Sequence, residues 1–348
     1  MKAIEVVEKG KVEVREVPKP SLRDGWLLVK VKAVGINPAD WKNFHWRGEP
    51  GSRVGLDFVG TVEELGENVS RPFKKGDRVS GWVRSGDLND PKAGAFAEYC
   101  IVQEHIPFKV PDNISDEEAA TLSVSISTVA QGLYKVLGLP WPNKPAQTPV
   151  PILIHGGSTA TGMYGIQYAK ASGMKVITTA SPRNFELVKS LGADAVFDYN
   201  SPTTAADIRA LTDNKLALAW ACAADGEELI AGALSDEVPS KYASIVSFAD
   251  KDRVGKLNPK IEALRVHLAY DVFGGEYLWP SGPMVPEPDI AEYVGRFLEL
   301  SPGLLESGTV KPIRTVVNKG GSGLEGVVKG LDELRTNGIS AAKLVYTL

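Results

Sequence analysis

The turn at residues 156–162 has the composition of a phosphate-binding loop. A short apolar run at 152–154 leads into this turn of small residues (GGSTATG), and an apolar helical pattern follows it. Strand, turn and helix in this order form the entry unit of a dinucleotide-binding fold. The amides at a helix start have no intrahelical acceptor and carry partial positive charge, so they can hold a pyrophosphate. The predicted binding residues are Gly157, Ser158, Thr159, Ala160, Thr161 and Gly162.

This turn departs from the usual three-glycine pattern at one position. With Gly157 and Gly162 as the outer glycines, Thr159 stands at the middle one. A side chain there should hold a pyrophosphate slightly off the backbone, and the hydroxyls of Ser158, Thr159 and Thr161 could compensate by donating hydrogen bonds. An ordinary glycine-rich loop is the alternative interpretation.

The end of the next predicted strand, at 175–179, distinguishes between the two nicotinamide cofactors. NAD enzymes usually place a carboxylate there to hold the ribose hydroxyls. In this chain, the first carboxylate after the strand at 175–179 is that of Glu186. Ser181 and Arg183 offer a hydroxyl and a guanidinium fork that suit a 2′-phosphate, which predicts NADPH. The Ser-Pro pair is also typical of a helix start, and both roles are compatible. The predicted residues are Ser181, Pro182, Arg183 and Asn184.

The elements that must position these residues show two kinds of sequence pattern, one β-rich and one in which strands alternate with helices. Residues 1–110 are β-rich, interrupted by Gly and Pro, and show no helical period of useful length before residue 115. Strands are predicted at 12–17, 26–34, 59–65 and 78–83.

The pattern changes at Ser115. Ser115 and Glu118 form a capping-box pair that predicts a helix start, and 119–137 is predicted as the helix. After a Pro-rich connection, short apolar strands alternate with helices, which indicates a parallel sheet. These strands are predicted at 152–154, 175–179, 195–199, 216–220 and 243–247.

The C-terminal tail is again predicted to belong to the β-rich domain. Apolar residues at helical spacing between 324 and 334 predict a helix that stops at Gly338, and 343–347 is predicted as a closing strand. A nucleotide-binding domain at 119–304 is therefore expected between two pieces of a β-rich domain, 1–118 and 305–348.

Composition narrows the class of protein. The chain has 348 residues, of which 43% are hydrophobic and 24% charged, as in ordinary globular proteins of about two domains. A net charge of −4 gives no electrostatic reason to expect nucleic acid or an anionic membrane as a partner. The sequence has no membrane-length apolar run, no signal-peptide pattern and only two cysteines. These features predict a cytoplasmic enzyme.

Five further segments, in order along nearly the whole chain, resemble the medium-chain dehydrogenase/reductase superfamily. They are VGINPADWK at 34–42, GLDFVG at 55–60, FKKGDRV at 73–79, GAFAEY at 94–99 and SLGAD at 190–194. The chain looks most like the zinc-free quinone oxidoreductase and enoyl reductase branch. Its GGSTAT and SPRNF runs resemble the fungal trans-acting enoyl reductases that partner polyketide synthases. The resemblance implies an α/β fold, with a GroES-like β-rich catalytic domain and a Rossmann doubly wound parallel-sheet domain.

The residues themselves argue against a zinc site. Zinc relatives use Cys, His and a second Cys or Asp, whereas Asn37 stands near the first ligand position and Leu56-Asp57 replaces a His-Glu pair. The four histidines show no ligand spacing, so no metal is expected. Without a Lewis acid, alcohol oxidation is disfavoured. Reduction of a conjugated C=C bond needs only a hydride, a proton and a polarising donor.

The resemblance also implies where the nicotinamide lies, which is between the two domains. It should touch residues 37–42, the helix at 122–129, the loop after Ser247 and the tail at 339–342. Tyr199 should pack beside the adenosine phosphate, although a half-buried aromatic at a strand end is the alternative. The further cofactor residues are Asn37, Pro38, Asp40, Lys42, Tyr199, Ser247, Phe248, Ser340 and Ala341.

Lys42 and Thr128 are the predicted catalytic residues. Lys42 could hydrogen-bond the enolate that hydride addition creates, or relay the proton. A solvated surface lysine is the alternative. Thr128 stands where relatives place a threonine near the nicotinamide. Asp57 is expected to be structural.

Two segments are predicted to line the substrate pocket. The small hydroxylated run at 123–128 leaves room for an acyl chain, although close helix packing explains it equally simply. The aromatic, Pro- and Gly-rich segment at 269–288 suits an apolar pocket, with an irregular surface loop as the alternative. The predicted substrate residues are Ser123, Val124, Ser125, Ser127, Val129, Tyr270, Val272 and Phe273.

Three functions remain open at this stage. The first is an NADPH-dependent enoyl reductase of secondary metabolism, acting on an α,β-unsaturated thioester held by the acyl-carrier domain of a polyketide synthase. The second is a free-standing quinone or alkenal reductase. The third is a non-catalytic NADPH-binding protein, which the segment around Lys42 disfavours. Prolines 280, 283, 286 and 288 would spoil an edge-to-edge sheet dimer, so a monomer is favoured.

Overall fold

The computed structural model describes residues 1–246, 251–279 and 282–348. The predicted cofactor residues Ser247 and Phe248, and Pro280, lie outside the described residues. Contacts divide the chain into two compact units. Unit 1 comprises Met1–Val124, Tyr270–Gly308 and Pro312–Leu348, and unit 2 comprises Ser125–Ala269 and Thr309–Lys311. No helix of the described part is both long and apolar enough to cross a membrane.

The strands are as follows, in chain order: β1 (Lys2–Glu8), β2 (Lys11–Glu16), β3 (Trp26–Gly35), β4 (Asp57–Leu65), β5 (Arg78–Trp82), β6 (Tyr99–Gln103), β7 (Phe108–Lys109), β8 (Pro151–His155), β9 (Lys175–Ala180), β10 (Ala195–Asp198), β11 (Leu218–Ala221), β12 (Ser240–Ser244), β13 (Ile261–Val266), β14 (Tyr277–Trp279), β15 (Gly282–Met284), β16 (Thr315–Val317) and β17 (Lys343–Thr347).

The α-helices are α1 (Pro38–Arg47), α2 (Asp116–Ala119), α3 (Ser123–Val129), α4 (Ala160–Ala171), α5 (Phe185–Ser190), α6 (Thr204–Leu211), α7 (Glu227–Ala233), α8 (Lys251–Leu257), α9 (Ile290–Leu298), α10 (Ser301–Glu306) and α11 (Gly323–Thr336). A π-helix spans Ala130–Val136, and 3₁₀-helices span Pro182–Asn184 and Ala269–Phe273.

Unit 1 is built on a mainly antiparallel sheet. Its strands run in the order β16-β17-β3-β4-β5-β7, with β6 also paired to β3. The central strand β3 is long and apolar, and its inward side chains are fully buried. The four strands predicted in the first 110 residues are all present within two residues of the predicted ends.

Unit 2 is built on a parallel sheet with the strand order β10-β9-β8-β11-β12-β13. This is the doubly wound order, in which successive strands are added first on one side of β8 and then on the other, and it confirms the predicted Rossmann architecture. The five predicted strands are present. However, the strand predicted at 243–247 is β12 at Ser240–Ser244, because its pairing with β11 and β13 starts three residues earlier.

Helix α1 contradicts the expectation that no helix precedes residue 115. Asn37 is its N-cap, Pro38 its first residue, and the Asp40 side chain accepts a hydrogen bond from the Asn37 amide at 2.6 Å. This capping box starts the helix even though its body is rich in aromatic residues, which favour helices only weakly. The helix is therefore encoded at its start rather than along its length.

The helix predicted at 119–137 is broken into three pieces. The Ser115–Glu118 capping box is confirmed, since Ser115 accepts from the Glu118 amide at 3.2 Å. The α2 helix then ends at Ala119 and α3 follows. The second half of the predicted helix is a π-helix. Within the π-helix, a Cβ on Gly132 would lie 2.4 Å from Trp220 Nε1, so this close approach requires glycine.

The segment at 270–308 groups with unit 1, although the sequence reading assigns 270–304 to the nucleotide-binding domain. Its contacts explain the grouping. Asn43 Nδ2 donates to the Tyr270 hydroxyl at 2.8 Å, and His105 Nε2 hydrogen-bonds the Val272 carbonyl at 2.9 Å. The predicted tail is confirmed, with α11 followed by Gly338 at a φ of 64° and then by β17.

Candidate active site

The glycine turn of unit 2 lies between β8 and α4. Thr159 is the N-cap of α4, where its Oγ1 accepts from the Gly162 amide at 3.0 Å and donates to the Gly156 carbonyl at 2.8 Å. The hydroxyl proton of Thr159 is thus used within the turn. The expected hydrogen bond from this hydroxyl to a phosphate is not available in this conformation, because the proton is already donated.

Both outer glycines of the turn are required by close contacts. A Cβ on Gly162 would lie 2.3 Å from the Gly156 carbonyl oxygen, and one on Gly157 would lie 2.1 Å from Thr178 Oγ1. Within the described part of the chain, no protein acceptor takes the amides of Ser158, Ala160 and Thr161. Three donors at a helix start fit a dinucleotide phosphate.

A buried histidine, which was not predicted from the sequence, supports this turn through a contact with the neighbouring strand. His155 ends β8, and its Nδ1 is 2.8 Å from Thr179 Oγ1, which also accepts from the Gly156 amide at 3.2 Å. Burial lowers the pKa of His155, so the ring is neutral at pH 7. His155 therefore fixes the first amide of the turn without adding charge.

The predicted 2′-phosphate residues lie at the carboxyl ends of β9 and β10. These strands pair so that Ala180 and Asp198 are opposite each other, which brings Ser181 Oγ within 2.9 Å of the Tyr199 hydroxyl. Ser181 stands at the N-cap position of the 3₁₀-helix, but its hydroxyl makes no capping bond, because it bonds Tyr199 instead. The three side chains Ser181, Arg183 and Tyr199 thus share one edge of the sheet.

Arg183 is the cation of this edge. Its side chain is exposed, and within the described part of the chain no carboxylate pairs with it. Tyr199 is 44% exposed. The carboxylate of Asp198 is used locally, since its Oδ1 accepts from the Asn200 amide at 2.9 Å. An exposed cation beside two hydroxyls is chemically suited to a phosphate monoester.

In unit 1, helix α1 holds Lys42 between two aromatic rings. Lys42 is half-buried, and its Nζ lies 5.7 Å from the ring centroids of both Trp41 and Trp46. Across the described residues, no carboxylate forms an ion pair with this ammonium group. Lys42 therefore keeps donor protons available, while two weak cation–π contacts restrict its position.

One buried carboxylate joins several segments of unit 1. Asp57 Oδ2 accepts from Asn37 Nδ2 at 2.8 Å and from Lys343 Nζ, while Oδ1 accepts from the Val124 amide at 2.8 Å. We call Asp57, Asn37, Lys343 and this amide the Asp57 cluster. Asp57 was expected to be structural, whereas Lys343 was not predicted, although a lysine at the start of an apolar strand is an available signal.

Asp40 lies beside the Asp57 cluster and is completely buried. Burial raises the pKa of Asp40 to about 8, and the charge of Asp57 adds to the rise, while the Asn37 amide and Lys343 oppose it. Asp40 is therefore protonated at pH 7. Among the described residues its Oδ1 has no hydrogen-bond partner, and Asp40 and Arg53 both line a cavity of about 10 Å³.

The predicted substrate residues are mostly used in packing. Ser123, Ser125, Ser127, Thr128 and Val129 are buried, whereas Val124 is half-buried. Ser123 Oγ lies 2.8 Å from Ser80 Oγ, which ties the start of α3 to β5. Their roles toward a substrate stay predictions.

Three aromatic residues of the 270–279 segment, Tyr270, Phe273 and Tyr277, pack within unit 1. Phe273 lies 4.5 Å from Trp82 between ring centroids, and the hydroxyl of Tyr270 accepts from Asn43. The rings of Phe273 and Tyr277 both face the Arg84 guanidinium. The segment is therefore an ordered part of unit 1.

The tail before β17 has an unusual backbone. Ala341 has a φ of 52°, and among the described residues it is the only side-chain-bearing residue other than Asn and Asp with a positive φ. This conformation is strained for alanine. Ser340 is half-buried, and its carbonyl accepts from Arg314 at 3.5 Å. The strain lies two residues before Lys343.

The residues at the possible metal position do not fit zinc. In the described part of the chain, no group of three or more His, Cys, Asp and Glu side chains could hold a metal ion. Asn37 offers an amide, and the Asp57 carboxylate is already paired with the ammonium of Lys343. Tetrahedral zinc sites use Cys, His and carboxylate ligands instead.

Two protein-family models match this chain, one within unit 1 and one within unit 2. Residues 23–112 match the family model for the alcohol dehydrogenase GroES-like domain, and residues 160–233 match the model for zinc-binding dehydrogenase. In fold, the chain resembles an alcohol dehydrogenase superfamily protein from Novosphingobium aromaticivorans, with a TM-score of 0.80 at 20% identity over all of both chains. It also resembles the CurK enoyl reductase, with a TM-score of 0.76 at 16% identity over 99% of this chain and 98% of that one.

Similarity in sequence is closer to one group of fungal proteins. The trans-enoyl reductase ACTTS2 of Alternaria alternata is 38% identical over 100% of this chain and 98% of its own. The trans-enoyl reductase resD of Aspergillus sclerotiorum is 37% identical over 96% of each chain, and TOXD of Cochliobolus carbonum is 53% identical over 58% of this chain and 68% of its own. The chain is therefore an oxidoreductase of the medium-chain dehydrogenase/reductase superfamily and belongs to its trans-enoyl reductase family.

Proposed function

We propose that this protein is an NADPH-dependent enoyl reductase that reduces the C=C bond of an α,β-unsaturated polyketide thioester carried by a separate polyketide synthase. The observation that carries the proposal is the similarity, over nearly the whole chain, to proteins named trans-enoyl reductases. The glycine turn and the Arg183 edge of unit 2 support the choice of cofactor. The available ammonium of Lys42 supports the reaction.

The chain's own residues have separate tasks in this proposal. NADPH supplies the hydride that adds to the β-carbon. The amides of the 156–162 turn hold its pyrophosphate, and Ser181, Arg183 and Tyr199 hold the 2′-phosphate. Lys42 donates a hydrogen bond to the thioester oxygen, which becomes an enolate oxygen as the hydride adds. Because this charge develops in the transition state, the contact should raise kcat more than it tightens substrate binding. A proton, relayed by Lys42 or taken from solvent, then adds to the α-carbon as the enolate returns to the thioester.

Substrate class can be tested with one panel of reactions. NADPH oxidation is followed by absorbance with 2-enoyl pantetheine thioesters of several lengths, with a quinone and with an alkenal. Turnover on thioesters, faster when the same acyl group is attached to a carrier domain, is the expected result. Turnover on the quinone or alkenal alone would instead identify a free-standing reductase. Binding of NADPH without turnover of any substrate, including the carrier-bound one, would favour a non-catalytic role.

Lys42→Ala tests the catalytic role. We expect kcat to fall by about 100-fold, as is typical when a group that stabilises an oxyanion or transfers a proton is removed. The Kd for NADPH should stay within twofold. Lys9→Ala is the matched control, because Lys9 is an exposed lysine between β1 and β2 of the same unit. A variant with the wild-type rate would remove Lys42 from the reaction.

Arg183→Ala tests the choice of cofactor. The loss of a charge-assisted contact predicts a Kd for NADPH that is about 10- to 100-fold weaker, with little change for NADH, measured by fluorescence titration. The control is Lys215→Ala, which removes an exposed cation just before β11, at the opposite end of the parallel strands. Equal losses for both cofactors would contradict the 2′-phosphate role.

A further inference from the structure

The ion pair in the Asp57 cluster crosses a whole strand. Lys343 belongs to β17 and Asp57 to β4, and β3 lies between these two strands. Gly35 of β3 is opposite Asp57 on one side and Val345 on the other. A Cβ on Gly35 would lie 2.1 Å from the Ala120 carbonyl oxygen and 2.9 Å from Lys343 Cε, so the glycine leaves room both for the backbone before α3 and for the lysine stem. The three residues thus form one coordinated feature of the sheet.

The two oxygens of Asp57 hold the starts of two different helices. Oδ2 accepts from the side chain of Asn37, the N-cap of α1, and α1 carries Lys42. Oδ1 accepts from the amide of Val124, the second residue of α3. Lys343 bonds the same oxygen as Asn37 and neutralises the carboxylate. Because an amide side chain has only one acceptor oxygen, Asn at position 57 could not accept from both helix starts in the present arrangement.

A buried ion pair is an expensive way to build a core. Both side chains are at most 3% exposed, and the desolvation of two charges often exceeds their mutual attraction. Well-packed neutral residues would serve stability as well or better. The neighbouring Asp40 carboxyl is neutral and therefore gives Lys343 no second counter-charge. The ion pair is therefore better explained by a requirement for geometry than by one for stability.

We propose that Asp57 and Lys343 are positioning residues, which set the start of α1, and so Lys42, against the start of α3 during the reduction. This inference rests on the proposed function. In this proposal, Lys343 is a fixed, buried cation at the start of β17. The strained Ala341 just before it is consistent with a tail that is held in one arrangement.

The test uses Asp57→Asn, Lys343→Met and the double variant. Each single variant leaves a buried group unpaired and should lower the Tm. The double variant removes both charges and should recover most of that loss in Tm. Its kcat for enoyl thioester should remain at least tenfold below wild type, while the Kd and stoichiometry of NADPH binding stay within twofold. Lys109→Met, which removes the half-exposed partner of Asp77 in the same sheet, is the control and should keep full turnover.

Two results would overturn the inference. If the double variant turned over at the wild-type rate, the ion pair would not be needed for positioning. If kcat and the stoichiometry of NADPH binding fell in parallel, the pair would act on folding alone. Absence of thioester reduction by the wild-type protein would overturn the proposed function together with this inference, so the two failures are distinguishable.

Discussion

At the scale of single residues, Asp40 shows how burial sets chemistry. Its carboxyl group is completely buried beside the Asp57 carboxylate, yet it still accepts a hydrogen bond from the Asn37 amide. A charged Asp40 would place two carboxylates in one apolar site with a single ammonium, Lys343, to balance them. The proton on Asp40 removes this excess of negative charge, and it is bound at the start of the helix that bears Lys42.

Asp40→Asn should change how stability depends on pH. The pKa of Asp40 is raised from 3.8 to about 8, so between these values the folded protein keeps a proton that the unfolded chain releases. The contribution of Asp40 is therefore fully present below about pH 4 and is lost as pH rises towards 8, by at most roughly 1.4 kcal/mol per pH unit. Asparagine mimics the neutral acid, so this variant should lose less stability than wild type over that range.

Urea unfolding at pH values from 4 to 8 measures this difference. Asp112→Asn is the control, because Asp112 is an exposed carboxylate of the same unit, and its profile should run parallel to that of wild type. Parallel profiles for the Asp40 variant and wild type would show that Asp40 is charged in the folded protein.

At the scale of elements, helix starts carry much of the information. The α2 and α4 helices each begin with a side chain that caps the backbone, at Ser115 and Thr159, and α1 begins with the Asp40 carboxyl bonded to the amide of its N-cap residue Asn37. The cap at Thr159 also shapes the turn that is predicted to bind phosphate. A capping side chain and a bound phosphate both accept hydrogen bonds from the backbone amides at a helix start. In this turn the Gly162 amide donates to the Thr159 hydroxyl, which forms the cap.

Thr159→Ala should destabilise α4 rather than remove a direct ligand contact. The Gly162 amide would lose its acceptor, which predicts a decrease of about 1 kcal/mol in the free energy of unfolding, measured in urea. Thr159→Ser keeps the hydroxyl and is the matched control. Equal destabilisation by serine and alanine would show that the methyl group, not the cap, stabilises the turn.

At the scale of the whole molecule, the open question is self-association. The β10 and β13 strands end the sheet order of unit 2, and the outer edge of β13 is one on which a second copy could pair. Glu262 and Arg265 on this strand are exposed. Charged side chains at a sheet edge disfavour pairing with another chain.

A monomer is therefore predicted for the whole protein. Light scattering after size exclusion should give a mass near 37.4 kDa, unchanged on dilution through the micromolar range. A mass of twice this value that falls on dilution would indicate a dimer instead.

Local patterns in the sequence determined much of the fold. The strand positions in unit 1, the alternation of strands and helices in unit 2, the glycine turn and the cap at Ser115 were all predictable, because each depends on residues within a few positions of one another. The α1 helix carries the same kind of signal in Asn37, Pro38 and Asp40. Its aromatic body obscured it.

Only the tertiary structure decided the arrangement around Asp57. The partners of Asp57 lie 20, 67 and 286 residues away in the chain, and contacts over such separations leave no periodic trace in a sequence. The protonation of Asp40 and His155 likewise depends on burial, which is a property of the packed chain. Residue types and spacing thus determine which elements form and what their side chains can do. Packing decides which charges meet, because desolvation acts on neighbours in space.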